Sequence, residues 1–315
     1  MSYIGHEPAW REWRAALGGE RMHHGWILSG RRGVGKSAFA LAAARELVAE
    51  AGVPQPAGEH ADIITLTNLP KDDVEAKKRD DGKPFELKRN ISVDQIRRMQ
   101  QRLTTRPTLG SRRVVIIDPS DDMEKGASNA LLKSLEEPPV GTFFVLIAHR
   151  AGQLLPTIRS RCRILSFPEV SEEDMQAVLA RETPQAAPAM RDAAIAAASG
   201  SPGAAIDFVE LDLGQMHGLM RQIAERGDAS FALRGQLADA MGPRPSRPRQ
   251  LAAIELARAV VTGRMHQVSR ANIPALVETH SDLVRLAGQA PTFNFDPGLL
   301  VMEIGTLLSH LAADV

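Results

Sequence analysis

Cysteine is almost missing: Cys162 is the single thiol in 315 residues. That excludes an intrachain disulfide and any thiolate-based metal cluster, and it fits a reducing compartment. Net charge is missing as well, since 38 basic residues offset 38 acidic ones. No global field therefore drives the chain onto nucleic acid or anionic lipid, although local basic patches remain available. No apolar run reaches membrane-spanning length, and the opening MSYIGHEPAW lacks the charged and apolar blocks of a signal peptide. The expectation is a cytoplasmic protein without membrane contact. No short-period repeat is visible.

What is present suits a folded core. Hydrophobic residues make up 43% and charged residues 24%, a globular balance, and the length favours two or three domains. The first half alternates short apolar runs with helical patterns, the sign of a parallel sheet with crossover helices. Trp26-Ile27-Leu28 runs into glycine-rich sequence, and residues 36–50 form an alanine- and leucine-rich helix closed by Gly52 and Pro54. Residues 62–67 read as a strand and 68–90 as a polar surface excursion, within which the mixed charges of 71–88 suggest a mobile loop. Ser92 and Gln95 make a capping box, followed at helical spacing by Val93, Ile96, Met99 and Leu103. Residues 114–117 and 143–147 read as buried strands, 127–137 as a helix stopped by Pro138-Pro139, and 164–167 as an edge strand. Beyond Pro168 strand signals vanish. Helices are expected at 171–181 and 190–198, ended by Gly200 and Pro202, then from about Leu213 onward with breaks at 242–245 and near Pro291.

One motif carries chemistry. Gly30, Arg31, Arg32, Gly33, Val34, Gly35, Lys36 and Ser37 spell glycine, four residues, then glycine-lysine-serine. Glycines let backbone N–H groups turn inward around phosphate oxygens, the lysine adds a point charge, and the serine hydroxyl coordinates Mg²⁺. The following helix directs its positive end at the same anion. The motif lies between an apolar strand and a helix, the context a P-loop requires. A P-loop site takes its second Mg²⁺ contact from an aspartate closing a buried strand, the address of Asp118. In P-loop ATPases of this arrangement a water-polarising glutamate comes next, but here the residue is Pro119, which has neither carboxylate nor N–H. Asp121 and Asp122 lie past the strand end, too far round to substitute. Nucleotide (ATP or ADP with Mg²⁺) is expected to be held but turned over poorly.

Taken together, HHGWIL at 23–28, RVVIID at 113–118, ASNALLKSLEEPP at 127–139 and LPTIRSRC at 155–162 resemble the clamp-loader branch of the AAA+ proteins, nearest its delta-prime-like members. The resemblance covers roughly residues 1–210. It implies an α/β P-loop AAA+ domain over 1–168, with a parallel sheet flanked by helices. A small helical lid over 169–210 and an all-α collar-type domain over 211–315 would follow. In that branch the arginine of serine-arginine-cysteine reaches the ATP phosphates of a neighbouring subunit, which is Arg161 here. A trans arginine is worth about 10³–10⁵ in rate. Ser160 and Cys162 are expected to pack. The implied partners are gamma/tau-like motor subunits, a delta-like clamp-opening subunit and primed DNA, for which Arg97, Arg98 and Arg102 offer a basic helix face or simply a solvated one.

Three departures bear on role. Pro119 stands where an ATPase has glutamate. Residues 51–61 lack the cysteines of the zinc module found in many relatives, so no zinc is expected. Ala148-His149 and 200–204 lack the polar residue and arginine with which motor subunits touch ATP, His149 being read as a loop histidine, with a phosphate contact as the alternative. All three favour a stator over a motor. A catalytically active AAA+ ATPase, such as a motor-type subunit or helicase loader, is the competing reading, supported by the intact P-loop. A small-molecule kinase is weaker, for want of an acceptor pocket.

Overall fold

The computed structural model describes residues 4–19, 22–83, 85–265, 270–290 and 295–312. The chain divides into two compact units, Met1–Glu169 and Val170–Val315.

The first unit is built on five parallel strands: β1 (Gly25–Ser29), β2 (Ile63–Leu66), β3 (Arg113–Ile117), β4 (Thr142–Ala148) and β5 (Arg163–Ser166). They lie in the order β2-β3-β4-β1-β5. Side chains alternate across a strand, so each strand feeds two cores. Trp26 and Leu28, Val114 and Ile116, and Val145 and Ile147 face α1 (Glu7–Leu17) and α2 (Lys36–Val48). The first unit also holds α3 (Asp73–Asp80), α4 (Val93–Leu103), α5 (Lys125–Glu136) and α6 (Pro156–Arg159). Ile27, Val115, Ile117, Phe144 and Leu146 face α4, α5 and α6. Both faces of β3 are covered, which is why residues 114–117 read as an unbroken β-branched run; all five residues of the strand, Arg113 included, are buried. β5, at the margin, leaves Ile164 exposed, as an edge strand does.

Local rules located most of these elements. The Ser92–Gln95 capping box forms, with each side chain bonded to the other's backbone N–H. Three elements differ from expectation. α1 carries no sequence assignment, yet Ala9, Trp10 and Trp13 form a buried stripe in which Trp13 meets Trp26 edge-on at 5.3 Å. Within 71–88, expected as a mobile loop, the described residues include a helix, α3. Asp72 caps α3, Glu75 accepts from Glu86 N at 2.7 Å and pairs with Lys78 at 2.6 Å, and Pro70 bridges Leu87. Pro202 opens a helix instead of only ending one, because proline suits a first turn whose N–H groups need no helical partner.

The second unit holds α7 (Glu172–Glu182), α8 (Pro188–Ala198), α9 (Pro202–Glu210), α10 (Gly214–Arg226), α11 (Ala232–Met241), α12 (Arg247–Gly263), α13 (Ile273–Gln289) and α14 (Pro297–His310). One buried cluster runs from Val170 to Leu311. Gly242, at φ 84°, ends α11 within the expected break; Pro291 lies outside the described residues. α11 is joined to α14 by Arg234, which is buried, bonds Thr306 and Ser309, and faces Asp228 at 3.4 Å. The fold class is the one read from the sequence: a parallel sheet flanked by helices, then a mostly helical part. Among the described residues no helix is long and apolar enough to cross a membrane.

Candidate phosphate-binding site

The loop from Gly30 to Gly35 leaves the carboxyl end of β1, an inner strand between β4 and β5. Parallel α/β sheets hold ligands at this edge. Crowding fixes Gly30, since a Cβ there would lie 2.3 Å from the Phe167 carbonyl oxygen. Gly33 and Gly35 adopt φ 81° and 102°, the left-handed region that turns successive N–H groups to one side.

Lys36 opens α2 and is only 3% exposed. Its Nζ donates to the Gly30 and Arg31 carbonyls, both at 2.6 Å. Burial pushes its pKa down to about 8, against a weaker upward pull from Asp118 and Asp121. Ser37 Oγ donates to Asp118 Oδ2 at 2.6 Å, so the two groups expected to contact Mg²⁺ already meet. Asp118 is held at the strand end by its N–H on Leu66 O at 2.9 Å. Arg31 pairs with Glu169 at 2.7 Å on the surface. Arg32 acts electrostatically on Asp122 and His149. This donor set fits a polyphosphate with its cation: left-handed glycines, a buried ammonium, and a hydroxyl touching a carboxylate. Among the described residues no group of three or more His, Cys, Asp or Glu could hold a metal on its own.

Pro119 follows Asp118 through a cis peptide bond, and a short 3-10 turn, Ser120–Asp122, reverses the chain. That turn brings Asp121 closer to the site than the sequence suggested. It is near enough to act on Lys36, while its Oδ2 accepts the N–H groups of His149 at 2.5 Å and Arg150 at 3.1 Å. The carboxylate thus ties the end of β3 to the end of β4. Asp122 accepts from Asn68 at 2.9 Å, and burial raises its pKa. His149 is drawn in beside them, with its pKa lowered by burial and by Lys36.

Sequence reasoning missed His6. Its imidazole Nε2 bonds the Val34 carbonyl at 2.7 Å, and its ring packs 4.8 Å from Phe167. The bond fastens the N-terminus of α1 to the loop. His6 itself is left-handed at φ 63°, and nothing in the order His6-Glu7-Pro8 announces a contact 28 residues away.

Arg161 lies elsewhere. It precedes β5, at the amino edge of the sheet, and Gly25 at the start of β1 packs against its carbonyl. Its guanidinium pairs with Glu136 at 2.7 Å and donates to Thr157 O at 3.0 Å. The structure therefore unites residues 30–37 with Asp118 and sets Arg161 apart from them. Ser160 is exposed and bonds back to Thr157 O at 3.1 Å. Burial pushes the Cys162 thiol up to about 12, which leaves it inert. Arg97, Arg98 and Arg102 are exposed on α4, with Arg97 3.5 Å from Asp94.

Residues 5–171 match the family model described as DNA polymerase III, delta subunit. The DNA polymerase III subunit delta' of Pseudomonas aeruginosa is 34% identical over 199 residues, covering 59% of this chain and 56% of that protein. Its Escherichia coli counterpart is 31% identical over 206 residues, covering 61% and 56%. A DNA polymerase III subunit gamma/tau of Mycobacterium tuberculosis is 32% identical over 207 residues, 63% of this chain and 34% of that protein. The chain thus spans little more than half the length of the delta' relatives it matches. Among solved structures, a gamma subunit-related protein of Thermotoga maritima superposes with a TM-score of 0.53 at 19% identity. It covers 96% of this chain and 99% of that one, a likeness of fold alone.

Proposed function

The chain belongs to the DNA polymerase III, delta subunit family, and from that premise we propose that it is a delta-prime-like stator of the clamp loader. In this reading it supports loading of the sliding clamp onto primed DNA and lends Arg161 to the ATP site of a gamma/tau-like neighbour. A delta-like clamp-opening subunit is the other implied partner. The observation that carries the reading is the position of Arg161 at the amino edge of the sheet. Its own P-loop sits at the carboxyl edge, about 15 Å of strand away, farther than an arginine side chain reaches. A finger there serves another chain's phosphates. An always-charged fork on a γ-phosphate stabilises charge on the transferred phosphoryl group.

The P-loop of this chain is proposed to hold ATP or ADP weakly and to hydrolyse it poorly. Residues 30–36 would embrace the phosphates. Ser37 and Asp118 would hold Mg²⁺, which supplies charge neutralisation to the β- and γ-oxygens when bound. Pro119 offers no base, and Asp121, whose Oδ2 is bonded to His149 and Arg150, serves as an anchor. Loss of a positioned base costs about 10²–10⁴ in rate. Within the helical part we propose a lid over 169–210 and a collar-type domain over 211–315. The protein would work in the cytoplasm, without zinc.

The test is Arg161→Ala in a complex reconstituted with a gamma/tau-type subunit. The served ATP site should lose at least 10³ in rate, by the usual worth of such an arginine; unchanged turnover would sink the assignment. The motor reading rests on the Ser37–Asp118 contact. It would be favoured by rapid ATP cleavage by the isolated chain that vanishes in Lys36→Ala.

A further inference from the structure

Arg161 does not point freely into solvent. One terminal nitrogen of its guanidinium lies 2.7 Å from Glu136 Oε1, and the other donates to the Thr157 carbonyl at 3.0 Å with Ser160 Oγ at 3.4 Å. Both terminal nitrogens are engaged within the chain, yet the side chain keeps 35% of its exposure and that of Glu136 keeps 49%. The pair is accessible to a neighbour.

The backbone beneath it is closely packed. A Cβ on Gly25 would stand 3.0 Å from the Arg161 carbonyl and 2.9 Å from Cys162 Sγ, so β1 is packed directly against these residues. The guanidinium can swing on its own side-chain torsions without disturbing that packing. Glu136 is also in an electrostatically poor place. It is the last residue of α5, where the negative end of the helix dipole disfavours a carboxylate. A charge with little to offer its own helix is instead seated on a guanidinium.

We propose that Glu136 is the resting counter-ion of Arg161, holding the guanidinium against its own helix end until the phosphates of a neighbouring nucleoside triphosphate compete for it. This rests on the reading of Arg161 as a trans finger and adds a positioning residue that acts through it. A polyanion approaching Arg161 meets the Glu136 carboxylate as well, and like charges repel. Engagement therefore requires the pair to open. The fraction of chains with a released finger scales the apparent affinity for the neighbour's loaded site. An ion pair this exposed shifts that equilibrium by at most about fivefold, and salt weakens it.

Four chains decide the matter, each reconstituted with a gamma/tau-type subunit: the unaltered chain, Glu136→Gln, Arg161→Ala and the double variant. ATP turnover is followed against chain concentration at low and high ionic strength. The expected result is a roughly two- to fivefold lower half-saturating concentration for Glu136→Gln at low salt, shrinking toward no difference at high salt. In the Arg161→Ala background the Glu136 change should do nothing, which separates a counter-ion from a residue that merely supports α5. If Glu136→Gln is equal to or weaker than the unaltered chain while Arg161→Ala is impaired, the counter-ion role is overturned and the finger stands. A Glu136 effect that persists without Arg161 also overturns it. If Arg161→Ala behaves as the unaltered chain, both ideas fall.

Discussion

Raising the pH interrogates the phosphate loop without altering a residue. Lys36 has its pKa lowered from the ordinary 10.5 to about 8, chiefly by burial at 3% exposure. The unfolded chain holds this proton up to pH 10.5, whereas the folded chain releases it near 8. Below pH 8 both states are protonated, and the fold carries the whole cost of a buried ammonium. Between about 8 and 10.5 the unfolded state binds more protons, so stability rises with pH. At 1.36 kcal/mol per unit the gain is ~3 kcal/mol. Urea unfolding of the unaltered chain and of Lys36→Met, at intervals from pH 7 to 10.5, isolates the effect because other titrating groups cancel in the difference. The unaltered chain should gain on the variant by that amount. A difference constant to within about 1 kcal/mol would refute the argument. Bound polyphosphate favours the charged lysine, so ADP affinity measured by calorimetry should fall as pH rises above 8, approaching tenfold per unit.

Two further outcomes follow from buried contacts. His6→Ala strands the Val34 carbonyl and should cost about 1–3 kcal/mol in chemical denaturation, while His6→Asn, which tolerates a left-handed backbone and keeps a donor, should recover part of it. Asp228→Ala removes acceptors for the N–H groups of Leu233 and Arg234 and leaves the buried Arg234 cation without its carboxylate. Breaking a buried pair in this way costs about 3–5 kcal/mol, and the thermal midpoint should fall accordingly.

The legible parts of this molecule are those where cause and effect are neighbours in the chain. The capping box at Ser92 spans three residues, β3 announces its burial by continuous β-branching, and the P-loop states its glycines, lysine and serine in one stretch. Proline misled at Pro202, because the same ring ends one helix and opens another. α3 was hidden by its charge, since an exposed helix carries no apolar stripe to betray it.

By itself the sequence determined a phosphate-shaped loop, an aspartate at the end of a buried strand, and a proline where a base would stand. It could do so because backbone conformation and chemical identity are set residue by residue. Only the tertiary structure decided that His6 braces the loop from 28 residues away and that Asp121 binds the end of β4 across the same interval. It also decided that Arg161 rests on Glu136 at the far edge of the sheet from the phosphate loop. Those pairings are created by strand order and helix packing, and a polar side chain carries no mark of the distant partner that folding will bring to it.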